Sequence, residues 1–273
     1  MILFRTPSGP VLQHENLHYA VKSTDWDALL NQESLPDWLL AQAVPENEVA
    51  APLELLAPVG TQEVWASGVT YFRSRNARME ESKDAGGADF YQKVYEAERP
   101  ELFFKATPQR VVGPGGVMHR RKDSTWIVPE PELTLVINSQ GQIIGYTCGN
   151  DLSCRDIEGE NPLYLPQAKV FTRCAGLGPG ILIAEKPIPV ETAIHCEIFR
   201  DGQQVFAGDT TLAQMKRTPV ELVGWLYREE TFPVGCFLMT GTGIVPPDNF
   251  CLQAGDEVRV SIEGIGTLIN FMD

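Results

Sequence analysis

Residues 129–151, PEPELTLVINSQGQIIGYTCGND, read as two strands joined by a turn. In the first strand side chains alternate, so Leu133, Leu135 and Ile137 point to one face and Glu130, Glu132 and Thr134 to the other. The turn signal Asn138 to Gly141 then returns the chain through Ile143 to Cys148, which delivers Asn150-Asp151 near the start of the glutamate strand. Two carboxylates on one strand face repel each other unless solvent, a proton or a cation intervenes. A solvated sheet face is the commoner explanation of such a pair. A hairpin that brings in a third carboxylate favours a hard divalent cation, Mg²⁺, Mn²⁺ or Ca²⁺, since all three take oxygen ligands. Three carboxylates leave about half of an octahedral shell for water and a bidentate ligand. A 2-oxo acid suits that gap, because its carboxylate and C2 carbonyl chelate together and its C3 protons become more acidic.

Outward from this hairpin the chain is mostly strand-like. Turn signals recur at Gly113-Pro114-Gly115-Gly116, Asp201-Gly202, Pro246-Pro247-Asp248 and Glu263-Gly264, and only one further helix stands out, Pro219 to Glu229. The expected class is α+β, mainly β, with the strands forming a roll or sandwich. Residues 61–273 make this body and residues 1–60 a small N-terminal α+β domain. In the latter, two apolar runs flank Ser8-Gly9-Pro10, helix-like spacing over Asp25 to Ala43 is broken at Pro36, and a proline-bearing connection runs from Val44 to Gly60. Early in the body, Asp89 to Arg99 (DFYQKVYEAER) predicts a helix with Phe90, Tyr91, Val94 and Tyr95 on one face. The Asp84-Ala85-Gly86-Gly87 stretch ahead of it is either a lid hinge or an ordinary solvated loop.

Composition excludes several functions. With 22 Lys plus Arg against 36 Asp plus Glu, the formal charge is −14, which is unsuited to nucleic acid. Arg5, Pro7 and Pro10 interrupt any apolar run at the start, and no stretch approaches the roughly 20 residues that span a bilayer. A cytoplasmic protein with no membrane partner is expected. The six cysteines lack CxxC spacing and read as reduced, mostly buried thiols. The four histidines have no motif-like surroundings, and there is no GxSxG, so nucleophilic triads find little support. Lys169, in LYLPQAKVF, and Lys105, in LFFKATPQR, each read locally as a surface lysine or as a site residue. Gly241-Thr242-Gly243 either presents backbone N–H groups to a carboxylate or makes a simple tight turn.

Taken in order, GVTYFRSR, PELFFKATPQRVVGPGG, PEPELTLVIN, GYTCGNDLSCRD, NPLYLPQAK and TGTGIVP resemble the fumarylacetoacetate hydrolase superfamily, from about Val64 to the C-terminus. YEAERPELFFKATP and ENPLYLPQAK are most similar to its 2-keto-3-deoxy-D-arabinonate dehydratase branch, which converts a 3-deoxy-2-oxo-pentonate to 2,5-dioxopentanoate. The resemblance implies a β-roll catalytic domain, Mg²⁺, and a homodimer or homotetramer. It makes Glu130, Glu132 and Asp151 the metal ligands and Lys169 the active-site lysine, and Lys105 is the second candidate catalytic residue. Ser67, Arg73, Arg75 and Thr242 are the candidate substrate contacts. Hydrolases of the superfamily place a water-activating histidine shortly after the GxxY block, whereas here no histidine occurs between His18 and His119. The departure favours elimination of water over C–C hydrolysis. An acylpyruvate or fumarylacetoacetate-type hydrolase, or a 2-oxo-acid decarboxylase or isomerase, is the alternative within the superfamily. A binding protein without catalysis is the alternative outside it.

Overall fold

The computed structural model describes residues 1–73 and 88–273, apart from the side chains of 88–91. Arg75, the 84–87 stretch and the Phe90 and Tyr91 side chains therefore lie outside the described residues.

The N-terminal residues form a meander. A Pro7-Ser8 turn joins β1 (Ile2–Thr6) to β2 (Gly9–His14), and β3 (Leu17–Ala20) and β4 (Glu48–Val49) follow, with two helices between β3 and β4. Asp25 caps α1 (Trp26–Leu30) by accepting from the Ala28 N–H at 3.0 Å. Pro36 does not break one long helix. It sits in the first turn of α2 (Leu35–Leu40), where its missing N–H would have no partner in any case.

The body then runs through β5 (Glu63–Gly68), α3 (Ala88–Glu96), β6 (Glu101–Ala106), β7 (Val111–Val112), β8 (Val117–Met118) and β9 (Ile127–Val128) to the hairpin β10 (Pro131–Ile137) and β11 (Ile143–Asp151). Beyond the hairpin come β12 (Ser153–Cys154), α4 (Arg155–Glu160), α5 (Leu165–Lys169), β13 (Ala175–Ile183), β14 (Ala193–Arg200) and β15 (Gln203–Thr211). The chain ends with α6 (Pro219–Leu226), β16 (Cys236–Met239), β17 (Glu257–Ile262) and β18 (Gly266–Met272). The sequence reading expects only one helix after β6, yet α4 and α5 are also present. At six and five residues, with Pro162 just past the end of α4 and Pro166 in the first turn of α5, they are too short to show a helical period.

The larger sheet has 11 strands in the order β4-β3-β2-β1-β13-β11-β10-β16-β5-β6, with β7 beside β13. A second sheet, β15-β14-β17-β18-β8, packs on it through β13 on β18, β11 on β17 and β10 on β14. Leu135, Leu177, Ile198, Val260 and Leu268 belong to the one apolar cluster that also takes in Leu3 and Leu12. This is the mainly β sandwich expected of the sequence. Residues 1–60 share its larger sheet, since Ile2 pairs with Leu182.

In the central hairpin Pro131 pairs with Asn150 and Glu132 with Gly149, and the Asp151 N–H donates to the Glu130 carbonyl at 2.9 Å. All seven residues of β10 are buried. The polar face of that strand is thus covered by protein rather than water. No helix among the described residues is long and apolar enough to cross a membrane.

Candidate metal centre and active site

Glu130 just ahead of β10, Glu132 within it and Asp151 at the end of β11 converge, each offering a carboxylate oxygen within 4.8 Å of the others. They are 5%, 1% and 1% exposed. Such burial of like charges is unfavourable unless cations and donors surround them. The backbone meets part of that need, because the Gly241 N–H donates to Glu132 Oε2 at 2.6 Å. Gly241 holds φ at +88°, and a Cβ there would lie 2.0 Å from Thr70 Oγ1, so only glycine presents this N–H.

Two buried lysines supply most of the rest. Lys169, the last residue of α5, donates from Nζ to Glu130 Oε2 at 2.6 Å, to Ser153 Oγ at 2.5 Å and to Asp151 Oδ2 at 3.0 Å. Glu158 of α4 stands 3.5 Å from the same Nζ. Lys105 reaches in from β6, donating to the Leu152 carbonyl at 3.0 Å and to the Lys169 carbonyl, with its charge 2.5 Å from Asp151 Oδ1. Arg155 Nη2 lies 3.8 Å from Glu130 Oε1, beneath the Trp126 ring.

Among the described residues, four buried carboxylates, Glu130, Glu132, Asp151 and Glu158, thus face three buried cations, Lys105, Lys169 and Arg155. The imbalance falls on Glu132. Burial first, then the charges of Asp151 and Glu130, push its carboxyl well above the usual range, against the opposing pull of Lys169 and the Gly241 N–H. Burial and the Glu132 charge likewise push the Tyr71 phenol up, so it stays protonated. A dication would relieve the crowding at Glu132. Three hard oxygen donors this close suit Mg²⁺ and leave room for an anionic chelating ligand to restore neutrality.

The small pocket above the carboxylates is also lined by Ser67, Gly68, Val69, Phe103, Gly241 and Thr242. Of the residues singled out from sequence, the structure brings together Glu130, Glu132, Asp151, Lys169, Ser67 and Thr242 at this pocket. Lys105 is fully buried and stands behind Asp151 rather than on the wall. Ser67 Oγ is engaged with the Glu101 carbonyl at 2.9 Å. Arg73 lies elsewhere, donating from Nη2 to the Val245 carbonyl at 3.1 Å and lining a separate groove with Phe72 and Asp209. Sequence reasoning missed Ser153, Arg155, Glu158 and Phe103. The available signal was the i, i+3 spacing of Arg155 and Glu158 directly after the Asp151 block, which puts both on one side of a helical turn.

Comparison with known proteins decides the lineage. The family model "Fumarylacetoacetate (FAA) hydrolase C-terminal" matches residues 64–272. The chain belongs to the fumarylacetoacetate hydrolase family. Within the family it is 50% identical over 214 residues to a probable 2-keto-3-deoxyxylonate dehydratase of Haloferax volcanii, covering 78% of this chain and 73% of that one. It is 42% identical over 219 residues to the 2-dehydro-3-deoxy-D-arabinonate dehydratase of Saccharolobus solfataricus, covering 80% and 74%. Among solved fumarylacetoacetate hydrolase family structures, it resembles 2-keto-3-deoxy-D-arabinonate dehydratase complexed with magnesium and 2,5-dioxopentanoate, with a TM-score of 0.85 and 34% identity over 100% of this chain and 99% of that one.

Proposed function

We propose that this chain is a Mg²⁺-dependent dehydratase that removes water from a 3-deoxy-2-oxo-pentonate to give 2,5-dioxopentanoate. The observation that carries the reading is the buried Glu130-Glu132-Asp151 cluster with Lys169 Nζ against two of its members. The dehydratase relatives at 50% and 42% identity support it, as does the similar structure with magnesium and 2,5-dioxopentanoate. Glu130, Glu132 and Asp151 would hold Mg²⁺, which when bound draws charge from the substrate C2 carbonyl and acidifies C3.

The protein's own residues then divide the work. Lys169, as the neutral amine left once one of its protons has passed to water, takes a proton from C3, and Ser153 and Glu158 orient its Nζ for that transfer. The electron pair of the C3–H bond forms the C3–C4 double bond as the C4–O bond breaks. The hydroxyl group leaves as water with a proton returned by the Lys169 ammonium, and proton shifts convert the resulting C5 alcohol to the aldehyde. Lys105 holds Asp151 and the end of α5 in place. Ser67, Phe103 and Thr242 shape the space above. The proposal extends to a cytoplasmic location and to a homodimer or homotetramer, the latter tested by light scattering.

Purified protein assayed with Mg²⁺ against 3-deoxy-2-oxo-pentonates and acylpyruvates tests the chemistry. Semialdehyde formation is the expected result, and cleavage of acylpyruvates alone would decide for a hydrolase. Glu132→Gln keeps an acceptor for the Gly241 N–H, so it is expected to fold and to lose Mg²⁺-dependent turnover. Full activity in that variant would defeat the ligand assignment.

A further inference from the structure

Arg217 is 5% exposed and sits just ahead of α6, far along the chain from the carboxylates. Its guanidinium donates from Nη2 to the Ala97 carbonyl at 2.6 Å and from Nη1 to the Glu98 carbonyl at 2.8 Å. Glu221, one helical turn on, holds Nη1 at 2.6 Å. A planar fork can satisfy two carbonyls and a carboxylate at once, whereas a single ammonium cannot do so with the same geometry. Its neighbour Lys216 donates its backbone N–H to the Thr70 carbonyl at 2.9 Å and its Nζ to the Tyr95 carbonyl. Residues 216–217 therefore grip both the chain leaving β5 and the chain arriving at β6.

That grip bears on the pocket. Among the described residues β6 is the last strand of the larger sheet and pairs only with β5. Its first residue, Glu101, pairs with Gly68, and the Glu101 carboxylate lies so close over Gly68 that a Cβ there would meet Oε2 at 2.0 Å. Gly68 and Phe103 are pocket wall. The carboxylates and Lys169 line the same pocket, so this wall borders the space open to the C4–C5 end of a chelating 2-oxo acid.

We propose that Arg217 is a positioning residue for the distal end of the substrate, acting by pinning the Ala97–Glu98 carbonyls and so setting where β6 places the wall of the pocket. The inference rests on the 2-oxo acid reading given under Proposed function. Pyruvate, which has the chelating end and nothing beyond C3, separates the two. In Arg217→Lys and Arg217→Met, calorimetry on the Mg²⁺-loaded protein is expected to give Mg²⁺ and pyruvate affinities within about twofold of wild type. Affinity for the 3-deoxy-2-oxo-pentonate is expected to fall about tenfold, with KM rising and kcat changing less. Should both variants fail to fold, Glu221→Gln loosens the guanidinium while leaving its carbonyl bonds, and a smaller KM increase with unchanged pyruvate binding is expected. Unchanged pentonate affinity in a folded variant, or parallel loss of pyruvate binding, would overturn the proposal. A wild type that binds pentonate without dehydrating it would defeat the functional reading instead, and the pentonate affinities would still decide for or against Arg217.

Discussion

Lys105 Nζ lies 2.5 Å from Asp151 Oδ1, with both side chains buried. The pair ties the edge strand β6 to the end of β11, and through the Lys169 carbonyl it also fixes the end of α5. Lys105→Met leaves Asp151 without that charge and is expected to cost about 3–5 kcal/mol of stability in metal-free protein. Saturating Mg²⁺ should restore part of the loss, because a dication offsets the same carboxylate. Thermal melts of wild type and variant with and without Mg²⁺ measure both effects, and a variant melting at the wild-type temperature without metal would refute the expectation.

Removing the proposed base has a different signature. Lys169→Ala is expected to lower kcat by about 10²–10⁴-fold, the usual contribution of a positioned acid or base. Mg²⁺ binding should survive, since the variant removes a positive charge beside Glu130 and Asp151. Steady-state rates paired with calorimetry distinguish this from a general collapse of the site.

Gly241→Ala tests the backbone donor. A residue with a Cβ at φ +88° is strained by roughly 1–2 kcal/mol, and the added atom would meet both Thr70 Oγ1 and the Ser67 carbonyl. The N–H to Glu132 must shift, so a lower melting temperature and a Mg²⁺ affinity reduced about 10–100-fold are expected. Calorimetric Mg²⁺ affinity equal to wild type would count against the role given to this N–H.

The raised Glu132 carboxyl sets the pH dependence. Its folded-state pKa lies well above the 4.5 of an ordinary glutamate, so above that pH the folded metal-free protein binds more protons at this residue than the unfolded chain. Stability contributed by protonated Glu132 is therefore present at low pH and lost as pH rises through the folded pKa. Mg²⁺ should flatten this loss and should release protons on binding. Melts across the pH range, and calorimetry in buffers of different ionisation enthalpy, check the sign. Metal-free stability that rises with pH above the acid range, or metal binding without proton release, would contradict it.

Much of the site was legible because it lies close together in sequence. Glu130, Glu132 and Asp151 come from one hairpin whose turn and alternation can be read directly, and Pro131 indeed pairs with Asn150. The two short helices after the hairpin were not legible. Arg155 and Glu158 fill the space beside Lys169 from a six-residue helix that carries no detectable period. Pro36 shows the converse: the helical spacing does break, but at residues 31–34 ahead of it, and Pro36 itself lies in the first turn of the second helix.

Sequence alone determined the hairpin, the oxygen donors it collects and the mainly β class, because side-chain alternation and turn chemistry depend on near neighbours. Tertiary structure decided what those donors face. Lys169 meets Glu130 across 39 positions of sequence, Lys105 reaches the Lys169 carbonyl across 64, and Gly241 reaches Glu132 across 109. Burial and charge balance are sums over such distant segments, and no local pattern encodes them. A pair of glutamates that by itself suggests a wet sheet face thus becomes a dry, crowded carboxylate cluster once the rest of the chain closes over it.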